Sequence, residues 1–254
     1  MILCLDCGNT SIKFALVENG YIIKSYLIRT NRERSSDEYA YSLSSIVGKD
    51  VKLEGAIISS VVPLLTPILH RAIELVFNVD ALILGKKIKT KLPLKIDNPN
   101  ELGADMLSGA LAAKSKYGEC SLVADLGTAT KIYIVDKNGA FIGGAITSGM
   151  EISLKTLVSS TSQLLETPII VPNRVIGRNT KDCIESGIVY GQAFMIREFA
   201  NEMENECGYR LRRILTGGFS KIIKNVLNEF TYDENLILDG LYEIYKMNEE
   251  SSNV

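Results

Sequence analysis

Two short stretches join a carboxylate, a glycine and small polar side chains at close spacing. Asp6-Cys7-Gly8-Asn9-Thr10 follows the apolar run Ile2-Leu3-Cys4-Leu5, and Asp125-Leu126-Gly127-Thr128 follows Leu122-Val123-Ala124. A turn of this make-up suits polyphosphate. Glycine lets the backbone come close to a ligand, and consecutive N–H groups can cradle phosphate oxygens. Asn9, Thr10 and Ser11 add side-chain donors and Lys13 a positive charge, while carboxylates at a strand end, Asp6 and Asp125, can hold hard cations through oxygen. A third carboxylate, Asp105 in Gly103-Ala104-Asp105, opens a helix after the Asn98-Pro99 loop. Such a group can orient and deprotonate an accepting hydroxyl in phosphoryl transfer, or it can simply cap the helix. Residue type alone leaves both open. Thr216-Gly217-Gly218 after a short strand offers bare backbone to a nucleotide base, and equally makes an ordinary strand-to-helix turn. No G-x-x-x-x-G-K-[ST] occurs, nor a G-x-G-x-x-G after a strand, so these are neither P-loop nor dinucleotide turns.

The two turns are copies. One offset of 119 residues carries Asp6 to Asp125, Gly8 to Gly127 and Asn19-Gly20 to Asn138-Gly139, placing Asn9 opposite Thr128, Ser11 opposite Thr130 and Leu16 opposite Val135. Each copy reads strand, polar turn, strand, and an Asn-Gly hairpin turn whose residues tolerate positive φ. The elements around them alternate. Ala56–Val62 reads as a buried strand, 64–77 as a helix, Ala81–Leu84 as a strand, 107–114 as a helix and Arg213–Leu215 as a strand. The longest helix should run from Thr180 to about Glu206, with Ile184, Ile188, Gly191, Met195, Phe199 and Met203 on one stripe, as core or as an interface. The pattern predicts an α/β protein of two duplicated domains, 1–115 and 116–254.

Bulk properties narrow the function. The 254 residues are 46% hydrophobic and 23% charged with net charge −2, enough apolar content for a core and no electrostatic draw to nucleic acid or anionic membrane. No basic segment precedes the first acid at Asp6 and no apolar run approaches a bilayer span, which predicts a cytoplasmic protein. Cys4, Cys7, Cys120, Cys183 and Cys207 are odd in number and predict reduced thiols; Cys4 and Cys7 on one strand would point to opposite faces. His70 is the only histidine and reads as a helix residue, so Ser/His or Cys/His hydrolysis has little to work with.

In order and spacing, Asp6–Thr10, Glu101–Asp105, Asp125–Thr130 and Thr216–Gly218, with Gly143–Ile146 and Arg178–Thr180, resemble the type III pantothenate kinases over nearly the whole chain. The resemblance implies an actin-like fold of two ribonuclease-H-like domains, usually homodimeric. It implies transfer of the ATP γ-phosphate to the primary hydroxyl of pantothenate, the first step towards coenzyme A, with Mg2+ accompanying the nucleotide. On this resemblance Asp6, Cys7, Gly8, Asn9, Thr10, Ser11, Ile12 and Lys13 form the first phosphate loop, and Thr128 also contacts ATP. Asp105 is the general base, Gly103, Ala104, Asp105, Met106 and Thr180 meet pantothenate, and Asp125 binds potassium or ammonium. Three positions depart from the family: Met106 replaces an arginine that grips the substrate carboxylate, Ile96 an aromatic hydroxyl, and Lys131 a threonine. The first two departures lie on the acceptor side. They leave two alternatives beside the pantothenate kinase: a non-catalytic or regulatory partner of an intact paralogue, and a kinase for another small hydroxylated substrate.

Overall fold

The computed structural model describes residues 1–85, 88–161, 164 and 166–252. By its contacts the chain divides into two compact units, one formed by Met1–Leu92, Asp97–Ala112 and the segment from Leu236 on, the other by Pro93–Ile96 and Ala113–Asn235.

The first unit holds β1 (Ile2–Cys7), β2 (Ser11–Glu18), β3 (Tyr21–Arg29), α1 (Ser36–Val47), β4 (Gly55–Ser60), α2 (Thr66–Phe77) and β5 (Leu82–Ile83). After a 3-10 turn at Pro99–Glu101, α3 (Ala104–Tyr117) leaves it for the second unit. Its sheet runs β3-β2-β1-β4-β5, an antiparallel meander to which β4 and β5 add in parallel. Alternation decides the faces. Leu3, Leu5 and Cys7 of β1, Ile12, Phe14 and Leu16 of β2 and Ile58 of β4 share one core with Tyr39 and Leu43 of α1 and Leu69 and Ile73 of α2. Parallel β4 is buried on both faces, which is why it carries the continuous apolar run Ala56-Ile57-Ile58 rather than an alternating pattern.

The second unit repeats the plan. β6 (Ser121–Leu126), β7 (Ala129–Val135), β8 (Phe141–Ser148), α4 (Met150–Ser159), α5 (Thr180–Cys207), β9 (Arg212–Thr216), α6 (Ser220–Ile223) and β10 (Thr231–Tyr232) follow in order. The sheet runs β8-β7-β6-β9-β10 with the same directions. The expected α/β duplication is present as two similar mixed five-stranded sheets.

Register corrects the expected alignment of the copies. Three residues, Gly8–Thr10, join β1 to β2, but only Gly127 and Thr128 join β6 to β7. Beyond the turn the offset is therefore 118: Asp6 pairs with Lys13 and Asp125 with Lys131. Core membership agrees, since Phe14 and Leu16 match Ile132 and Ile134, which face their own core. The next turn restores the offset. Asn19 and Gly20 have φ 50 and 84 and close a two-residue hairpin, whereas the second copy needs five residues, 136–140. Asp136 organises that longer loop by accepting from the backbone N–H groups of Asn138 (2.8 Å) and Ala140 (2.9 Å) and from Lys95 Nζ (2.9 Å).

The stripe expected on α5 lies one residue off the core line. Val189, Ala193, Ile196 and Ala200 are fully buried against the second sheet, while Phe199 remains 38% exposed. The last helix, α7 (Leu236–Ser252), packs on β1 and β4 of the first sheet. Gly55 allows this approach, and Gly240 lets α7 pack against α3. A Cβ on Gly55 would overlap the Tyr245 ring, and one on Gly240 would lie 2.0 Å from the Ser108 carbonyl oxygen.

Candidate active site

The first turn is fastened from below by the end of β3. Gly8 N–H closes it onto the Ser11 carbonyl (2.9 Å), Thr30 Oγ donates to the Gly8 carbonyl (2.7 Å), and Thr30 N–H to that of Thr10 (3.0 Å). Asn9 and Thr10 form its exposed crest, and Arg32 Nη2 donates to Asn9 Oδ1 at 2.8 Å. Half-buried Asp6 stands at the strand end with Lys13 directly across the ladder, and Ser59 Oγ donates to Asp6 Oδ1 at 2.8 Å. Cys7 and Ile12 have side chains in the core, so they can offer a ligand backbone only. Thr30 and Arg32 escaped the sequence reading because their link to the turn passes through β3, with no local signal to reveal it.

The Cys4-Leu5-Asp6-Cys7 string is structural. Both thiols are reduced and buried on opposite faces: Cys7 lies in the core with Leu3 and Leu5, and Cys4 lies near Asp239 of α7. Burial pushes Cys7 up to about 11, and burial with the nearby Asp239 raises Cys4 further still.

Asp105 occupies the second position of α3. A Cβ on Gly103 would stand 2.7 Å from Asp105 Oδ1 and push on that carboxylate, whose Oδ1 accepts the Met106 N–H at 2.8 Å. The carboxylate is half-buried and Met106 is buried. Asn98 caps the preceding 3-10 turn by accepting from Asn100 N–H (3.2 Å). These four residues, Gly103–Met106, with Asp6–Lys13 all belong to the first unit.

The second unit carries Asp125, Thr128, Thr130, Lys131 and Thr180. Gly127 N–H donates to the Ala129 carbonyl (3.1 Å), and Gly149 N–H to that of half-buried Thr128 (3.0 Å). Asp125 is buried and its Oδ2 accepts from Lys131 Nζ at 2.6 Å. Gly217, at φ 93, roofs this carboxylate: a Cβ there would come within 2.5 Å of Asp125 Oδ1. Buried Gln192 of α5 donates to Thr130 Oγ1 at 2.7 Å. Thr180 is exposed in the first turn of α5, which Asn179 caps by accepting from Asp182 N–H at 2.9 Å.

A cavity of about 470 Å³ lies away from these turns, lined by Glu204, Arg210, Arg213 and Glu229 among others, at the opposite end of β9 from Thr216. Its charges are spent internally. Burial alone would raise the Glu204 carboxyl, but Arg213, Arg210 and the Leu211 N–H hold it low. Among the described residues no group of three or more His, Cys, Asp or Glu side chains could hold a metal ion, and no helix is long and apolar enough to cross a membrane.

Comparison with known proteins shows which family the chain belongs to. The sequence profile of the type III pantothenate kinases matches residues 2–202. This chain belongs to that family. It is 34% identical to the type III pantothenate kinase of Geobacter sulfurreducens over 98% of this chain and 100% of that one, and 37% identical to that of Agathobacter rectalis over 97% of each. Among solved structures it is similar to the activator of the 2-hydroxyisocaproyl-CoA dehydratase from Clostridium difficile with bound ADPNP. That match has a TM-score of 0.53 and 13% identity, covering 100% and 97% of the two chains, and it speaks for the actin-like fold. A type III pantothenate kinase is an ATP-binding kinase of coenzyme A biosynthesis, and the doubled hairpin turns fit that chemistry.

Proposed function

We propose that this type III pantothenate kinase transfers the γ-phosphate of ATP to the primary hydroxyl of pantothenate, with Asp105 as general base. The observation that carries the reading is the pair of turns, each with an aspartate opposite a lysine at the same register, within a chain that matches the family over 2–202. Gly8, Asn9, Thr10 and Ser11 present backbone and side-chain donors to the phosphates; Cys7 and Ile12 serve through backbone, and Lys13 and Thr128 add charge and a hydroxyl. Arg32, held on Asn9, brings a guanidinium to the same crest and suits a phosphate oxygen. Mg2+ would reach the site with ATP, completing its shell from phosphate oxygens, water and a carboxylate such as Asp6, in keeping with the few protein ligands Mg2+ usually takes. Bound there, it neutralises developing phosphate charge.

Asp105 acts on the acceptor. In the first turn of α3 it is fixed by the Met106 N–H, so it can take the hydroxyl proton as the bond to phosphorus forms. Thr180 supplies a hydroxyl to pantothenate beside the exposed Arg178. The homodimer is part of the proposal: α4 and α5 leave Ile152, Leu157, Phe194 and Phe199 more than a third exposed, apolar surface suited to a second copy.

The test is ATP-dependent phosphorylation of pantothenate by the purified protein beside Asp105→Asn. The variant should lose roughly 10²–10⁴-fold in turnover while still binding a non-hydrolysable ATP analogue. Full activity in Asp105→Asn would remove the base from the mechanism.

A further inference from the structure

The monovalent cation expected at Asp125 finds its place taken. We infer that the ε-ammonium of Lys131 is a built-in countercharge for Asp125, so that this kinase works without added potassium or ammonium. The inference rests on the kinase reading above and concerns the second hairpin alone.

Asp125 is 3% exposed at the penultimate position of β6, and a desolvated carboxylate requires a partner charge. Lys131 stands directly opposite on β7, where cross-strand side chains meet, and its Nζ lies 2.6 Å from Oδ2 with both side chains at least 85% covered. An alkylammonium is an ammonium ion with one hydrogen replaced by the chain, so it brings the same charge as NH4+ and three of its four N–H donors. Tethering makes its local concentration independent of the salt in solution. A second cation beside the same carboxylate would meet repulsion from Nζ at short range, with Gly217 closing over Oδ1. The residues at Asp125 therefore suit an internal ammonium rather than a bound ion. Lys131 is the register equivalent of Lys13, so the duplication supplies the lysine at this place in both hairpins.

The test exchanges the protein into buffer whose only monovalent cation is N-methylglucamine, with nucleotide as its Mg2+ complex, and adds KCl or NH4Cl at constant ionic strength. Affinity for a non-hydrolysable ATP analogue is read by calorimetry and pantothenate phosphorylation in parallel. In the unsubstituted protein both should change less than about twofold on adding the salt, against the roughly tenfold that a coupled cation site would give. Lys131→Thr should become cation-dependent, losing nucleotide affinity in N-methylglucamine and regaining it with NH4+ or K+, a rescue that a merely structural lysine would not show. A tenfold gain for the unsubstituted protein on adding K+ overturns the inference whether or not the variant folds. So does a folded Lys131→Thr indifferent to both ions. If the analogue binds but pantothenate is not phosphorylated, the substrate assignment fails, and the cation question is still answered by the binding data.

Discussion

Asp136 shows how much one carboxylate can hold. Burial alone would raise its pKa, but the N–H groups of Ala140 and Asn138 and the Lys95 ammonium bring it down to about 2. Because the folded value lies below the ordinary 3.8, its stabilisation is complete above about pH 4 and disappears as pH falls towards 2. Asp136→Asn should cost about 2 kcal/mol in denaturant unfolding at pH 7, with the gap to the unsubstituted protein closing as the solution is acidified. The thiols offer a second measurement. Cys183 is exposed and should react promptly with an aromatic disulfide reagent, whereas Cys4 and Cys7 should react only on unfolding. Met106 gives a third. Without the family's arginine the site forgoes a charge-assisted hydrogen bond of about 1.5–3 kcal/mol, so kcat/KM for a neutral amide of pantothenate should lie within about tenfold of that for pantothenate. A preference above a hundredfold would mean that another cation grips the carboxylate. At this scale the aspartates were legible because strand ends and helix starts carry local signals. Arg32 and Gln192 were not, since each reaches its partner across the sequence, from the turn after β3 and from α5.

Elements were read with the right type and blurred edges. α5 begins at Thr180 as expected, capped by Asn179, but past Ile184 its core line runs one residue beside the expected stripe. The large apolar side chains drew the stripe, while Ala193 and Ala200, too small to stand out in a sequence, make the close approach to the sheet. Small residues do the same for α7. Gly240→Ala would drive a methyl into the Ser108 backbone and should destabilise by about 2–3 kcal/mol, with thermal melting lowered by roughly 5–10 °C. A stability equal to that of the unsubstituted protein would show that α3 and α7 separate without cost.

For the whole molecule, the repeat was the strongest signal in the sequence and also its trap. A single offset matched four landmarks because a shortened turn after Asp125 and a lengthened one after Val135 cancel. Hydrogen-bond register, which the letters do not display, is what brings Lys131 opposite Asp125. Nor could the sequence say which sheet the segment from Leu236 would cover, because an amphipathic helix fits either core.

The packing of α7 on β1 and β4 has a consequence for synthesis. β1 is made well before the helix that shields one of its faces, which follows more than two hundred residues later. The first unit includes this helix, so it can complete its packing only after the whole second unit has been translated. Cys4 and its neighbours must wait, uncovered and open to chaperones, until the closing helix arrives.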